Sequence, residues 1–551
     1  MVFAACAART ILSAARYRKW TYGFQKYNDR RYNLPAERMI CMSVHLPRLI
    51  ADGMVLQRGS RVTLWGTAQE PVTVKFLQQQ YRAVPDEAGC WEVVLNDLPP
   101  GGPHTLIIND ITLHDVYIGD VFLCSGQSNM QVPMRRVKHM YPEEMQCPNP
   151  HIHQFAVPQR YDFHAPQSGL EGGCWTSSAP DSVADFSAVG YFFAKRLYER
   201  YHVPVGLILS AIGGTPIHAW MSREALGGFP ELLEEADLCA DDVYVKKVQA
   251  EDAANAERFL DEINQADPGL AGNWSSPDYD DSAWEERPLL TPWPGCGSVW
   301  LRKTVIIPKE LAGKPAVIFL GTVTDWDTVY VNGEVVGTTT YRYPPREYAV
   351  PALPQGRCVI TVRVISKEGG RFTPGKQYLL SADAGSFNLG GVWRFRRGGD
   401  GTPVKPETFF HYKPSGLYNG MIAPLKRYAL KAVLWYQGES DASSPMLYGE
   451  KFETLVRAWR TDWGLELPFL FVELPCWEGG PDWYLIRQQQ WQSLAIPGTA
   501  MAAAFDLGEY NDLHPQNKQL VGDRLARCAM RVAYGETLPP SPFEIMGYHG
   551  G

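Results

Sequence analysis

The chain has 551 residues, more than one hydrophobic core usually supports, so about three domains are expected. Its formal net charge of −8 excludes the clustered Lys and Arg of a nucleic-acid-binding surface. No apolar run is long enough to span a bilayer, and the 11 Cys include no CxxC pair and no Cys/His spacing of a zinc site, which excludes an embedded protein and fits a reducing, cytoplasmic compartment.

Residues 1–42 are rich in Arg and Ala and poor in acid, yet lack the apolar segment and small-residue cleavage site of a secretory signal. They read as a non-native or disordered leader with Met39 or Met42 as the natural start; a signal hidden by a wrong start would instead place the protein outside the cytoplasm. Short alternating runs between Leu49 and Thr112 ("VTLWG", "VTVKFL", "WEVVL", "HTLIIN"), separated by Gly, Pro and Asp, predict a small antiparallel β domain over 43–115. A first α/β segment over 116–265 follows. It opens with the apolar strand Val121–Cys124, continues with a helical pattern in "SAVGYFFAKRLYERY", and runs through the apolar "VPVGLILSAIGG" into an acidic, Ala-rich helical stretch from Glu231 to Gln265.

The period then changes from helical to two. "VWLRKTVIIP", "AVIFLGTVTDWDTVYVNGEVVGTT" and "CVITVRVIS" predict an all-β module over 266–400 with a hairpin at Asn332-Gly333. Helix and strand alternate again over 401–551. "KAVLWYQGES", "PFLFVEL" and "TAMAAAFDLGE" read as strands, "YGEKFETLVRAWRTDW" and "WYLIRQQQWQSLA" as helices, and Pro515 stands near the start of a last helix, as its fixed φ favours. One α/β domain, split by a β insertion, is the result.

Four turns at strand ends carry chemistry-bearing residues. Ser128 follows the first strand, Gly213-Gly214 the next and Gln437 the third, while His514 precedes the last helix with Asp512 two residues upstream. Each has a structural reading too. Ser128 suits a turn or helix cap, Gly213-Gly214 a tight turn and Asp512 an N-cap. A serine nucleophile needs a base, an orienter for that base and donors for the oxyanion, and those residue types are all present.

The motifs "GQSNM" (Gly126 to Met130), "GGTPIHAW" (Gly213 to Trp220), "YNGMIAPL" (Tyr418 to Leu425), "WYQGESDA" (Trp435 to Ala442) and "DLHPQNKQLVGDRLA" (Asp512 to Ala526) stand in family order, behind the opening "MVLQRGSRVTLWG". On these the chain resembles the sialate O-acetylesterase family of the SGNH hydrolase superfamily. The resemblance implies a three-layer α/β/α domain with a parallel sheet, preceded by a small β domain. It implies a serine esterase that removes O-acetyl groups from a sugar through an acyl-enzyme, without metal or organic cofactor, partnered by a glycan and by neither nucleic acid nor membrane. It assigns Ser128 as nucleophile, His514 as base, Asp512 as orienter with Asp506 as the alternative, and the N–H groups of Ser128 and Gly213 or Gly214 as oxyanion donors. The insert, with "PDYDDSAW" and "DTVYVNGEVVG", resembles the jelly-roll module of β-galactosidase-type glycosidases and either binds carbohydrate or braces the fold.

Departures from the family pattern bear on particular residues. The usual D-x-x-H is here Asn511 to His514, with the acid at Asp512, and the usual G-x-N-D is Gly438-Glu439-Ser440-Asp441 without an Asn, so Gln437 is taken as the third donor. Family members often continue into a further β segment beyond the position matching Gly551, so truncation is an expectation here. O-acetylated sialic acid is the leading substrate, with an acetylated xylan-type glycan as the alternative. A carbohydrate-binding protein with a decayed hydrolase site is the reading of a different class.

Overall fold

Sixteen consecutive residues, Ile111–Gly126, form one strand (β1), whose last six residues from Val121 on are all buried. An unbroken apolar run of this kind suits a strand covered on both faces. In the computed structural model, residues 44–383, 385–477, 482–509, 512–539 and 541–546 are described. The expected leader at 1–42 lies outside them, as does Asn511.

Around β1 the chain lays down β2 (Ile152–Ala156), β3 (Trp175–Ser177), β4 (Val205–Ala211), β5 (Ala432–Tyr436), β6 (Phe469–Val472), β7 (Thr499–Ala502) and β8 (Glu544–Met546), in the spatial order β3-β2-β4-β1-β5-β6-β7-β8. Strands β2, β4, β1, β5, β6 and β7 run parallel, and only the outer pairs β3/β2 and β7/β8 are antiparallel. The fold class is α/β. Parallel strands need crossover connections, and the helical patterns supply them. Ala188–Tyr201 (α2) is capped by the Ser187 hydroxyl, which accepts from the Gly190 N–H. Tyr448–Trp463 (α4, following α3 below) packs on Trp483–Gln492 (α5), and Lys518–Val532 (α6) packs on α2, β6 and β7.

The chain divides into two compact units, with boundaries between Val245 and Lys246 and between Thr408 and Phe409. The insert was expected over 266–400, and both of its edges lie further out. Helix α3 (Asp242–Ala266) runs unbroken through the first boundary, its Phe259 and Ile263 share a buried cluster with Ile365, and the Thr408 N–H and Thr402 hydroxyl donate to Asp252 and Glu262 of that helix. Inside the insert, a six-stranded and a four-stranded antiparallel sheet share one core that includes Val299, Ile318, Val329, Ile360, Leu380 and Trp393. Asn332 and Gly333 both have positive φ, 47° and 87°, in the two-residue hairpin between Val331 and Glu334.

The expected break between 115 and 116 is not there. The first half of β1 pairs with Gly101–Ile108 and Val55–Gln57 and its second half with β4 and β5, so a single strand serves both β segments. Asp120, buried at the middle of β1, accepts from Arg58 (2.9 and 3.0 Å) and from the Tyr534 hydroxyl (2.7 Å), which ties the N-terminal strands to the chain after α6. Pro515 does not head a helix. Helix α6 starts at Lys518, where the Asn517 carboxamide accepts the Leu520 N–H at 3.3 Å.

Candidate active site

The nucleophile candidate stands on a turn that only glycine permits. Gly126 has φ 125°, and a Cβ there would lie 2.2 Å from the Tyr436 carbonyl oxygen of neighbouring β5. The Gln127 N–H donates to that same oxygen at 2.9 Å, after which Ser128 opens the one-turn helix α1 (Ser128–Gln131). Gln127 turns inward, and its Oε1 accepts the N–H groups of Gly438 (3.4 Å) and Ser440 (3.2 Å) beyond the end of β5. Ser128 itself is 8 % exposed.

The end of β4 comes up beside it. A Cβ on Gly213 would stand 3.3 Å from the Ser128 Cβ, and the Gly213 N–H donates to Gln131 Oε1 at 2.8 Å. Gly214 takes φ 79°, and any side chain there would run into the Tyr412 hydroxyl at 1.9 Å.

The His514 loop is fastened to the Ser128 turn by one side chain. Asn129, next to Ser128, donates through Nδ2 to the carbonyl of Leu513, next to His514, at 3.1 Å, and to Glu439 Oε1 at 2.6 Å. Its Oδ1 accepts from Lys518 Nζ at 2.5 Å. The Asp512 carboxylate accepts the His514 backbone N–H at 2.9 Å, and the His514 side chain is almost wholly buried. Asp506, the alternative orienter, is held instead in a two-pronged pair with Arg524, at 2.6 and 2.7 Å, which keeps its carboxyl below the usual range.

A family model described as SASA, carbohydrate esterase, sialic acid-specific acetylesterase, matches residues 118–252 and 400–531, the two stretches that hold all four turns. Sialate O-acetylesterase of Rattus norvegicus is 26% identical over 539 residues, covering 88% of this chain and 73% of the rat protein. The Homo sapiens sialate O-acetylesterase is 29% identical over 218 residues, 35% of this chain and 41% of the human protein. Among solved structures, a carbohydrate acetylesterase from Xanthomonas citri matches with TM-score 0.54 and 25% identity over 90% of this chain and 76% of that one. Residues 118–252 and 400–531 make up a sialic acid-specific acetylesterase domain.

Within this domain Gln437 does not stand as the expected third donor. Gln437 is fully buried and both of its amide hydrogens are spent, on the Thr215 carbonyl (3.1 Å) and on Asp441 Oδ2 (2.6 Å). Asp441 in turn accepts the Ile217 N–H at 2.9 Å. Gln437 therefore braces the chain beyond the ends of β4 and β5, through Thr215 and Asp441. Sequence reasoning passed over Asn129, Gln131 and Lys518, although Asn129 and Lys518 lie inside quoted motifs. Among the described residues no three His, Cys, Asp or Glu side chains gather as a metal site, and no helix is long and apolar enough to cross a membrane.

Burial pushes the Glu439 carboxyl up to about 7 from its ordinary 4.5, against the opposing pull of Asn129 and Lys518. Between those values the folded esterase holds a proton that the unfolded chain has released. The contribution of this group to stability is complete below about pH 4.5 and is lost as the pH rises to about 7. Glu439→Gln is expected to flatten that part of the unfolding-midpoint curve, read by thermal denaturation across the interval; the wild-type slope persisting in the variant would contradict it.

Proposed function

We propose that this chain is a serine esterase that removes O-acetyl groups from a carbohydrate, with O-acetylated sialic acid as the leading substrate. The observation that carries the reading is the Asn129 side chain joining the Ser128 turn to the carbonyl before His514, with Gly213 standing against Ser128. In this reading Ser128 Oγ attacks the acetyl carbonyl while His514 takes its proton, and Asp512, already bonded to the backbone of His514, orients the imidazole. The tetrahedral oxyanion receives the Ser128 N–H and a second N–H from Gly214 or from Gly213, that of Gly213 after its release from Gln131. The sugar hydroxyl leaves with the proton from His514. Water, deprotonated by the same imidazole, then attacks the acetyl-Ser128 ester; the ester bond breaks, acetate leaves, and His514 returns the proton to Ser128 Oγ.

The finer architecture belongs to the same proposal. Six parallel strands support an SGNH-type three-layer α/β/α domain, and two antiparallel sheets around one core support a jelly-roll insert. The test is acetate release from a panel of O-acetylated sialic acids and O-acetylated xylo-oligosaccharides, with Ser128→Ala as the blank. Release from the sialic acids by wild type alone is expected. Release from xylo-oligosaccharides only would move the substrate to plant glycans, and release from none would leave a sugar-binding protein.

A further inference from the structure

We propose that the Asn129 carboxamide is the positioning clamp of the catalytic centre: it fixes the Ser128 turn against the His514 loop through the Leu513 carbonyl, and Lys518 and Glu439 hold it in a single orientation. The inference rests on the reading of Ser128 as nucleophile and His514 as base.

The chemistry of the partners leaves the amide no choice. An ammonium only donates and a backbone carbonyl only accepts, so the atom facing Lys518 Nζ must be Oδ1 and the atom facing Leu513 O must be Nδ2. Glu439 Oε1, at 2.6 Å, takes the second amide hydrogen. The Lys518 bond lies in the interior, with Asn129 and Lys518 both fully buried, and the bonds to Glu439 and Leu513 are partly buried; a bond made in low dielectric is strong and one left unmade is costly. Each bond reaches a different part of the sheet end. Glu439 follows β5, Leu513 follows β7, and Lys518 begins α6. The Lys518 ammonium also stands 5.5 Å over the Tyr436 ring, beside the strand whose carbonyl receives the Gln127 N–H.

The cluster is a poor way to gain stability alone. Burial pulls Lys518 down to about 7 even though Glu439, Asp512 and Glu509 favour its charge, with Arg136 opposing. A buried ion set is often no better for stability than apolar residues of the same shape, so its return is expected in geometry. Asn129 touches no reacting atom. It acts through Ser128 and His514.

Asn129→Asp is the decisive variant, because it keeps the shape and the acceptor for Lys518 yet turns an oxygen toward Glu439 and the Leu513 carbonyl. We expect kcat to fall about 10²-fold with KM nearly unchanged, as a displaced reacting group does. Labelling of Ser128 by a fluorophosphonate should slow by the same factor, and amide exchange in the peptide 512–517 should accelerate while circular dichroism stays that of wild type. A folded variant with wild-type kcat, labelling and exchange would overturn the clamp and leave the esterase reading standing. Wild type that is itself neither labelled nor active would overturn that reading, and the clamp with it. If Asn129→Asp does not fold, Lys518→Met decides by the same measurements: slowed labelling with KM unchanged supports the clamp, and wild-type rates defeat it.

Discussion

Ser128→Ala is expected to lower acetate release by about 10⁴-fold or more, the order found when a nucleophile of a serine triad is removed. The change deletes one oxygen at the start of a one-turn helix and leaves the backbone turn to Gly126, Gln127 and the Tyr436 carbonyl. The unfolding midpoint should therefore stay where it is. Activity lost together with stability would point to a structural serine, and activity retained would remove Ser128 from the chemistry.

Gly126→Ala should be the most damaging single change to the fold near the site. At φ 125° an alanine is strained before any contact is considered, and its Cβ would meet the Tyr436 carbonyl oxygen at 2.2 Å and carbon at 2.7 Å. Both obstacles are backbone, held by the pairing of Tyr436 with Gly126, so no side chain can step aside. We expect a loss of about 3 kcal/mol or more in equilibrium denaturation, from left-handed strain and clash together, with activity falling as the turn shifts. A variant as stable as wild type would contradict the geometry of the β1–β5 junction.

Much of the sheet was legible in the sequence because its strands are buried on both faces. Val121–Cys124, Leu207–Ile208 and Leu434–Trp435 lie in apolar runs that lead on to the glycines Gly126, Gly213 and Gly438, and such turns follow strand ends, where α/β folds present their functional groups. The Asn-Gly hairpin was legible for the same local reason. Other features are tertiary and have no local signature. Lysine at the first position of a helix reads as a solvated residue, and only the approach of Asn129 and Glu439 makes Lys518 a buried one. Gln437 stands one residue from the strand end, where side chains alternate, and the sequence does not say which face it takes; in the structure its amide is spent on Thr215 and Asp441. The domain edge at 115 was invisible as continuous because a composition change across Ile111–Gly126 marks a change of strand partners, not a linker. Asp512 was preferred to Asp506 on its motif alone, and the pairing of Asp506 with Arg524 is a tertiary contact that the sequence does not display.

A serine esterase of the proposed kind forms a covalent acetyl-Ser128 intermediate during turnover. Rapid quenching of the enzyme during turnover of an O-acetylated sialic acid, followed by digestion and mass spectrometry, tests it directly. An acetyl group is expected on the peptide that carries Ser128, and it should vanish in Ser128→Ala and accumulate when His514→Ala slows deacylation more than acylation. Acetate released at the wild-type rate with no acetyl group on that peptide at any quench time would contradict the account.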